Sequence, residues 1–297
     1  MFNKAMIAID FRTVSFPLLK CVRGLKELGI KNFHIIRSIE HTKIPGINIG
    51  AIKTFFQEEL DRQKDFLNTR GFNVDADILV GMACKEINSL AIENNCELMV
   101  FGSHGHTRIS ELLIGNITCD TVYNQVMPIL LVKISPHYQK KSFISKDKYE
   151  FLNHVVFPTD FSKNADFAAL FLKSLISKGP KKVTLLHIQN KTTISPHLSH
   201  RLEEFNKTDK LRLEELKEVI QKPDVNINIE ILYGHPVKEI VRFSKANQAS
   251  LIIMGSQGRG FLQEVFLGSV SQNVARCSDV PIMLVPAPER KIAKNSP

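Results

Sequence analysis

No run in this 297-residue chain approaches the roughly 18 to 20 consecutive apolar residues that a membrane-spanning helix requires. The opening residues MFNKAMIAID lead into an apparent strand without the layout of a signal peptide, so a soluble, cytoplasmic protein is expected. Cysteine is sparse as well. Cys21, Cys84, Cys96, Cys119 and Cys277 are scattered, odd in number and never spaced as Cys-x-x-Cys. That pattern argues against a disulfide framework, a zinc site or a redox pair, and for reduced thiols. Also missing are the Gly-x4-Gly-Lys-Ser/Thr of a P-loop and a Gly-x-Gly-x-x-Gly turn after a first strand, which excludes the two commonest nucleotide-binding loops. The formal charge of +9 fits nucleic acid, an anionic small ligand or a solvated basic surface. Much of the excess lies at Lys140, Lys141, Lys146, Lys148, Arg290, Lys291 and Lys294 with no interleaved aromatic residues, so nucleic acid is the minority reading.

What is present is a repeat. Short apolar runs at Ala5–Ile9, Phe33–Ile36, Val74–Val80, Leu98–Phe101 and Ile129–Lys133 alternate with helically spaced segments. These carry Leu18, Leu19, Val22, Leu25 and Leu28; then Ile52, Phe55, Phe56, Leu60, Phe66 and Leu67, one face of a helix closing near Gly71; then 85–94; and finally Asn116–Asn124. The second half runs the same programme through Val155–Phe157, Val183–Ile188, Ile227–Tyr233, Leu251–Met254 and a last strand at Ile282–Val285, with a helix that carries Leu202, Phe205, Leu213, Leu216 and Val219. Shifting the first half by 153 residues lays Gly81 on Gly234, Gly102-Ser103 on Gly255-Ser256, Gly105 on Gly258, Gly115 on Gly268 and Pro128 on Pro281. Duplication is the economical explanation. The expected organisation is a domain over 1–134, a polar, lysine-rich linker over 135–150, a second domain over 151–288 and a basic tail over 289–297. The fold class is α/β: two tandem doubly wound domains, each a five-stranded parallel sheet flanked by helices.

The richest stretch is Leu251–Pro286, which reads as a buried strand, a glycine loop, a helix and a strand. Its glycines fall as Gly255-x2-Gly258-x9-Gly268-Ser269. Gly255 and Gly258 can take positive φ and bring backbone N–H groups close to a ligand, and Gly268-Ser269 stands where a helix should begin. Unpaired N–H groups and the helix dipole make that point attractive to an anion, with the Ser269 hydroxyl free to cap the helix or meet a phosphate and Arg259 able to add a charged contact. Gly102 opens the matching loop of the first half. Asp10 and Asp160 each end a first strand and fall on the same sheet rim as the glycine loops, where doubly wound sheets bind ligands. Asp160 can accept from a ribose hydroxyl or an adenine amino group, or either it or Ser162 can cap the following helix. His104 and His106 flank Gly105 but are not spaced for nucleotidyl transfer and read as solvated or phosphate-facing loop residues.

The glycine loop, preceded by Val155–Asp160 and followed by Val280–Pro286, resembles a universal stress protein domain, and with both halves included nearly the whole chain resembles a tandem universal stress protein. In the ATP-binding branch of that family the loop holds phosphates, while the first-strand aspartate and second-strand backbone hold adenosine. The resemblance therefore implies ATP or AMP, with or without Mg2+, held by Asp160, Ile188, Gly255, Gly258, Arg259, Gly268, Ser269 and Val270, with Pro158, Thr159 and Met254 beside them. It also implies that Ile129–Val132 and Ile282–Val285 pack the halves as a pseudo-dimer, and it leaves room for a homodimer. The first half departs from the pattern. Gly102, Gly105 and Gly115 remain, but Asn116 replaces the serine, His106 replaces Arg259, and Ala8-Ile9-Asp10 replaces Pro158-Thr159-Asp160. The function implied is an adenine-nucleotide-binding stress or regulatory protein with its ligand mainly in the second half. A slow ATPase and a ligand-free interaction module are the alternatives.

Overall fold

A computed structural model describes residues 2–9, 15–39, 49–80, 83–104, 125–134, 150–194, 197–257 and 268–287. Asp10, Gly81, Gly105, His106, Gly115, Asn116, Cys119, Gly258, Arg259, the expected helix Asn116–Asn124, residues 135–149 of the linker and the tail lie outside them. The chain divides into two compact units, Met1–Tyr149 and Glu150–Pro297.

In the first unit, β1 (Lys4–Ile9), α1 (Ser15–Val22), β2 (Asn32–Ile39), α2 (Ile49–Asn68), β3 (Asn73–Val80), α3 (Ala83–Glu93), β4 (Leu98–His104) and β5 (Ile129–Ile134) follow in order. All strand pairings within the unit are parallel, in the order β3-β2-β1-β4-β5. The helix with Leu18 and Leu19 tightens into a 3-10 turn over Arg23–Leu28 and ends at Gly29, whose φ of 97° lets its N–H reach back to Leu25 and Lys26. Two expectations are corrected here. Gly102, Ser103 and His104 do not open a loop but continue β4, because β5 runs on beside them and pairs Val132, Lys133 and Ile134 with the three. Phe55 does not share the buried face of α2: it is 69% exposed while Phe56, Leu60 and Leu67 are buried. Consecutive helical residues point about 100° apart, so only one of the two phenylalanines can face the sheet.

The second unit runs β6 (His154–Thr159), α4 (Lys163–Ile176), β7 (Lys182–Asn190), α5 (Lys191–Ile194), α6 (Leu202–Ile220), β8 (Asn226–Gly234), α7 (Pro236–Ala246), β9 (Leu251–Gly255), α8 (Ser269–Cys277) and β10 (Ile282–Val285). Its strands are again parallel, ordered β8-β7-β6-β9-β10. Every residue of β6 and β9 is buried. A sheet covered on both faces explains why these two strands read as continuous apolar runs, and each fully buried Val, Ile or Met contributes about 1.5–3 kcal/mol. β6 and β9 are neighbours, and the chain leaves the first toward β7 and the second toward β10, so their carboxyl ends form the crevice where strand order reverses. Val219, expected beside Leu213 on the inner face of α6, is 51% exposed, and Ile220 is buried there with Leu213 instead.

Free thiols are found at buried Cys21 and Cys96 and exposed Cys277. Burial pushes the Cys96 thiol up to about 11, so it stays protonated and inert at neutral pH. At the amino end of β6, His154 is 5% exposed and wired on both nitrogens. Nδ1 donates to the Asn247 carbonyl at 3.0 Å, and Nε2 accepts from the Thr184 hydroxyl at 2.9 Å. Burial pulls its pKa below the ordinary 6.5, the Asn247 carbonyl opposing. The unfolded chain therefore binds this proton more readily than the folded one. The neutral ring's contribution to stability is complete above about pH 6.5 and is lost as pH falls through the lower folded value, at no more than about 1.4 kcal/mol per pH unit. Urea midpoints of the wild type and His154→Gln, compared at pH 7.5 and pH 5.5, should converge at the lower pH; a gap independent of pH would refute this role for the ring.

Candidate functional site

The carboxyl ends of β6, β7 and β9 open into a cavity of about 980 Å3 in the second unit. Its walls bring together Pro158, Thr159 and Asp160 from the end of β6, Ile188 from β7, Met254 and Gly255 from β9, and Gly268, Ser269 and Val270 from the start of α8. Nine of the sequence-derived candidates thus line one cavity, although they are drawn from positions up to 112 residues apart (Pro158 to Val270). Gly102 belongs to the first unit, where it pairs with Val132.

The turn after β6 is built from local side-chain bonds. The Ser162 hydroxyl accepts from the Ala165 N–H and caps α4, so the choice between Asp160 and Ser162 as cap falls to the serine. Asp160 Oδ1 instead accepts from the Ser162 N–H at 3.1 Å, which fixes the carboxylate at the cavity edge. Between them Phe161 has φ of 58°, a left-handed conformation that costs an ordinary residue roughly 1–2 kcal/mol. It is held there by its N–H bond to Thr159 Oγ1 at 3.0 Å and by its ring, 4.6 Å from His187 and beneath the Arg212 guanidinium at 5.3 Å.

Also lining the cavity, Gly268 is the N-cap of α8 in extended conformation, with φ of −65° and ψ of 141°. Ser269 is the first helical residue, and the N-cap position belongs to Gly268, which has no side chain to cap with. The expected capping role of Ser269 is therefore corrected: a hydroxyl one position too late cannot reach the N–H groups of the first turn from the cap's geometry, and here it is exposed on the cavity wall. The expected positive φ at Gly255 is also corrected. Among the described residues glycine takes positive φ at Gly29, Gly71 and Gly179, whereas Gly255 is the last residue of β9 in register with Val285. What Gly255 provides is room. A Cβ there would stand 3.1 Å from the Asn164 carbonyl oxygen and 3.2 Å from that of Gln257.

The sequence reading missed the side wall. His187 and Gln189 of β7, and Glu204, Asp209 and Arg212 of α6, all line the cavity. His187 Nδ1 donates to the Thr159 carbonyl at 2.8 Å, turning Nε2 to within 3.5 Å of Asp209 Oδ2, and Gln189 Nε2 donates to the same oxygen at 2.9 Å. Alternation along β7 could have found them, since His187 and Gln189 flank Ile188 and must face the opposite side. At the mouth, Glu204 is bound in a fork by Arg201 at 2.8 and 2.7 Å, and that hydrogen bonding holds its carboxyl below the usual range. Gly258 and Arg259 lie outside the described residues. Among the described residues, no cluster of three metal-ligating side chains occurs, and no helix is long and apolar enough to cross a membrane.

A model of the universal stress protein family matches residues 1–133 and again 152–286. The chain belongs to the universal stress protein family. A universal stress protein of Methanocaldococcus jannaschii is 30% identical over 150 residues, which cover 44% of this chain and 93% of that protein. One of Mycolicibacterium smegmatis is 22% identical over 219 residues, 73% of this chain and 70% of its own. A solved universal stress protein of Archaeoglobus fulgidus shares the fold, with a TM-score of 0.73 at 23% identity over 96% of each chain. Two family matches in one chain accord with the internal repeat and with one doubly wound α/β architecture occurring twice.

Within that architecture the contact of Gly255 with backbone, rather than with a movable side chain, sets the cost of change. Gly255→Val should destabilise the protein by about 1–3 kcal/mol, because the Asn164 carbonyl cannot retreat without shifting α4, nor the Gln257 carbonyl without shifting the backbone that follows β9. Guanidinium unfolding of the full chain measures this, and an unchanged midpoint would show that the crevice is not tightly packed there.

Proposed function

We propose that the second unit binds an adenine nucleotide, ATP or AMP, at the crevice between β6 and β9, and that the chain serves as a nucleotide-responsive stress or regulatory protein. One observation carries this reading: a single cavity is lined both by the amino terminus of α8 and by Asp160 and Ile188. The first N–H groups of a helix have no partner within it, and the dipole places roughly half a positive charge there, which suits a phosphate. Gly268 has no side chain to obstruct the approach, and the Ser269 hydroxyl can donate to a phosphate oxygen. Asp160 is an acceptor suited to ribose hydroxyls, and the backbone at Ile188 can meet the edge of the base. The volume of about 980 Å3 suffices for a triphosphate and its waters. Mg2+, where it accompanies ATP, is held mainly by phosphate oxygens and water, so the lack of a carboxylate cluster among the described residues fits either nucleotide.

Thermal unfolding of the purified chain with ATP or AMP, each with and without Mg2+, tests the reading. Ligand at about 100 times its dissociation constant should add about 2.7 kcal/mol and raise the midpoint. Gly268→Val should abolish the rise by filling the phosphate approach, and Asp160→Ala should weaken binding by about 1.5–3 kcal/mol through loss of a charged acceptor. A wild-type midpoint indifferent to every nucleotide would rule the function out.

A further inference from the structure

We infer that Asp209, positioned by Gln189 and His187, makes the cavity of the second unit selective for 6-aminopurine over 6-oxopurine nucleotides. The inference rests on the reading of that cavity as a nucleotide site and names the side chain that chooses the base. Asp209 lies on α6, faces the cavity and has 14% of its side chain exposed. Oδ2 takes the Gln189 amide at 2.9 Å and faces His187 Nε2 at 3.5 Å, while Oδ1 accepts no hydrogen bond among the described residues. An ionised carboxylate only accepts, and its orientation here is set by two groups that are themselves buried, Gln189 at 3% and His187 at 8% exposure. The His187 ring is in turn locked by the Thr159 carbonyl, so the acceptor cannot swing to suit another partner. An exocyclic amino group at purine C6 donates to such an oxygen. A 6-oxo group presents a second acceptor, and the mismatch leaves two partly buried oxygens opposed.

The first unit supplies an internal contrast. β1 pairs Ile9 with Arg37 as β6 pairs Thr159 with His187, so Arg37 stands where His187 stands. The buried pair Leu60 and Leu67 of α2 matches Leu213 and Ile220 of α6 in spacing, which puts Phe56 at the place of Asp209, four residues before the first of each pair. Arg37 lies over the Phe56 ring at 4.2 Å, and its Nη1 is 2.9 Å from Glu59 Oε2 without an aligned N–H. A cation on an aromatic ring therefore takes the place of an acceptor on an imidazole, and the selector belongs to the second unit alone.

Calorimetric titration of the full chain with ATP and with ITP, which differ at C6 and the adjoining N1 proton, tests the inference. The wild type should prefer ATP on the order of tenfold to a hundredfold, the range expected for a hydrogen bond to a charged acceptor. Asp209→Asn, whose amide both donates and accepts, should bring the ATP-to-ITP ratio to near one by weakening ATP and strengthening ITP. Gln189→Leu should narrow the ratio less, since it frees the carboxylate without removing it. A wild type that binds ATP and ITP equally overturns the inference whatever the variants do, and so does an unchanged ratio in a folded Asp209→Asn protein; either result leaves the nucleotide site standing. A wild type that binds neither nucleotide removes both the site and its selector.

Discussion

Two hydrogen bonds pin the start of α8 to the end of β9, a third ties that end to β10, and together they shape the crevice. The Ser256 N–H donates to the Val285 carbonyl at 2.9 Å, the Gly268 N–H donates to the Ser256 carbonyl at 2.8 Å, and the Ser271 hydroxyl donates to the Gly255 carbonyl at 2.8 Å. The chain thus leaves the strand after Gly255 and returns at Gly268 to the Ser256 carbonyl. Without that return the helix amino terminus would have no fixed place relative to Asp160, and a phosphate bound at one would say nothing about a sugar bound at the other. The constraint also explains the residue types. At Gly255 backbone from Asn164 and Gln257 stands where a Cβ would go, so glycine is what the packing admits there.

How much of this was legible in the sequence depends on which force fixes each part. The strands at Leu251–Met254 and Val155–Phe157 could be read directly, because burial on both faces turns sequence into an unbroken apolar run. The glycine loop was legible as spacing. Its mechanism was not: positive φ was the natural guess for Gly255, and its close approach to the Asn164 carbonyl is a contact between segments about 90 residues apart that no local pattern encodes. The same limit hid Asp209. On α6 it reads as one more charged residue of a solvated face, and only the crossing of that helix over β7 sets it against Gln189 and His187. Where β4 passes through Gly102 to His104, local chemistry pointed to a turn and the neighbouring strand overrode it.

The two copies diverge where packing stops dictating the residue. Positions inside the sheets keep their apolar character because any polar replacement there would cost a desolvation penalty without a partner. At the rim a polar residue can be exchanged for another if its neighbours change with it, and the pairs have changed together. His187 with Asp209 in one unit corresponds to Arg37 with Phe56 and Glu59 in the other. Each set is internally paired, an imidazole facing a carboxylate in one case and a guanidinium stacked on a ring beside a carboxylate in the other. Exchanging a single member would leave a buried charge without its partner, at a cost of several kcal/mol. The sheets can therefore stay alike while the rims present opposite chemistry, and a family match spanning both halves carries fold across the repeat without carrying ligand.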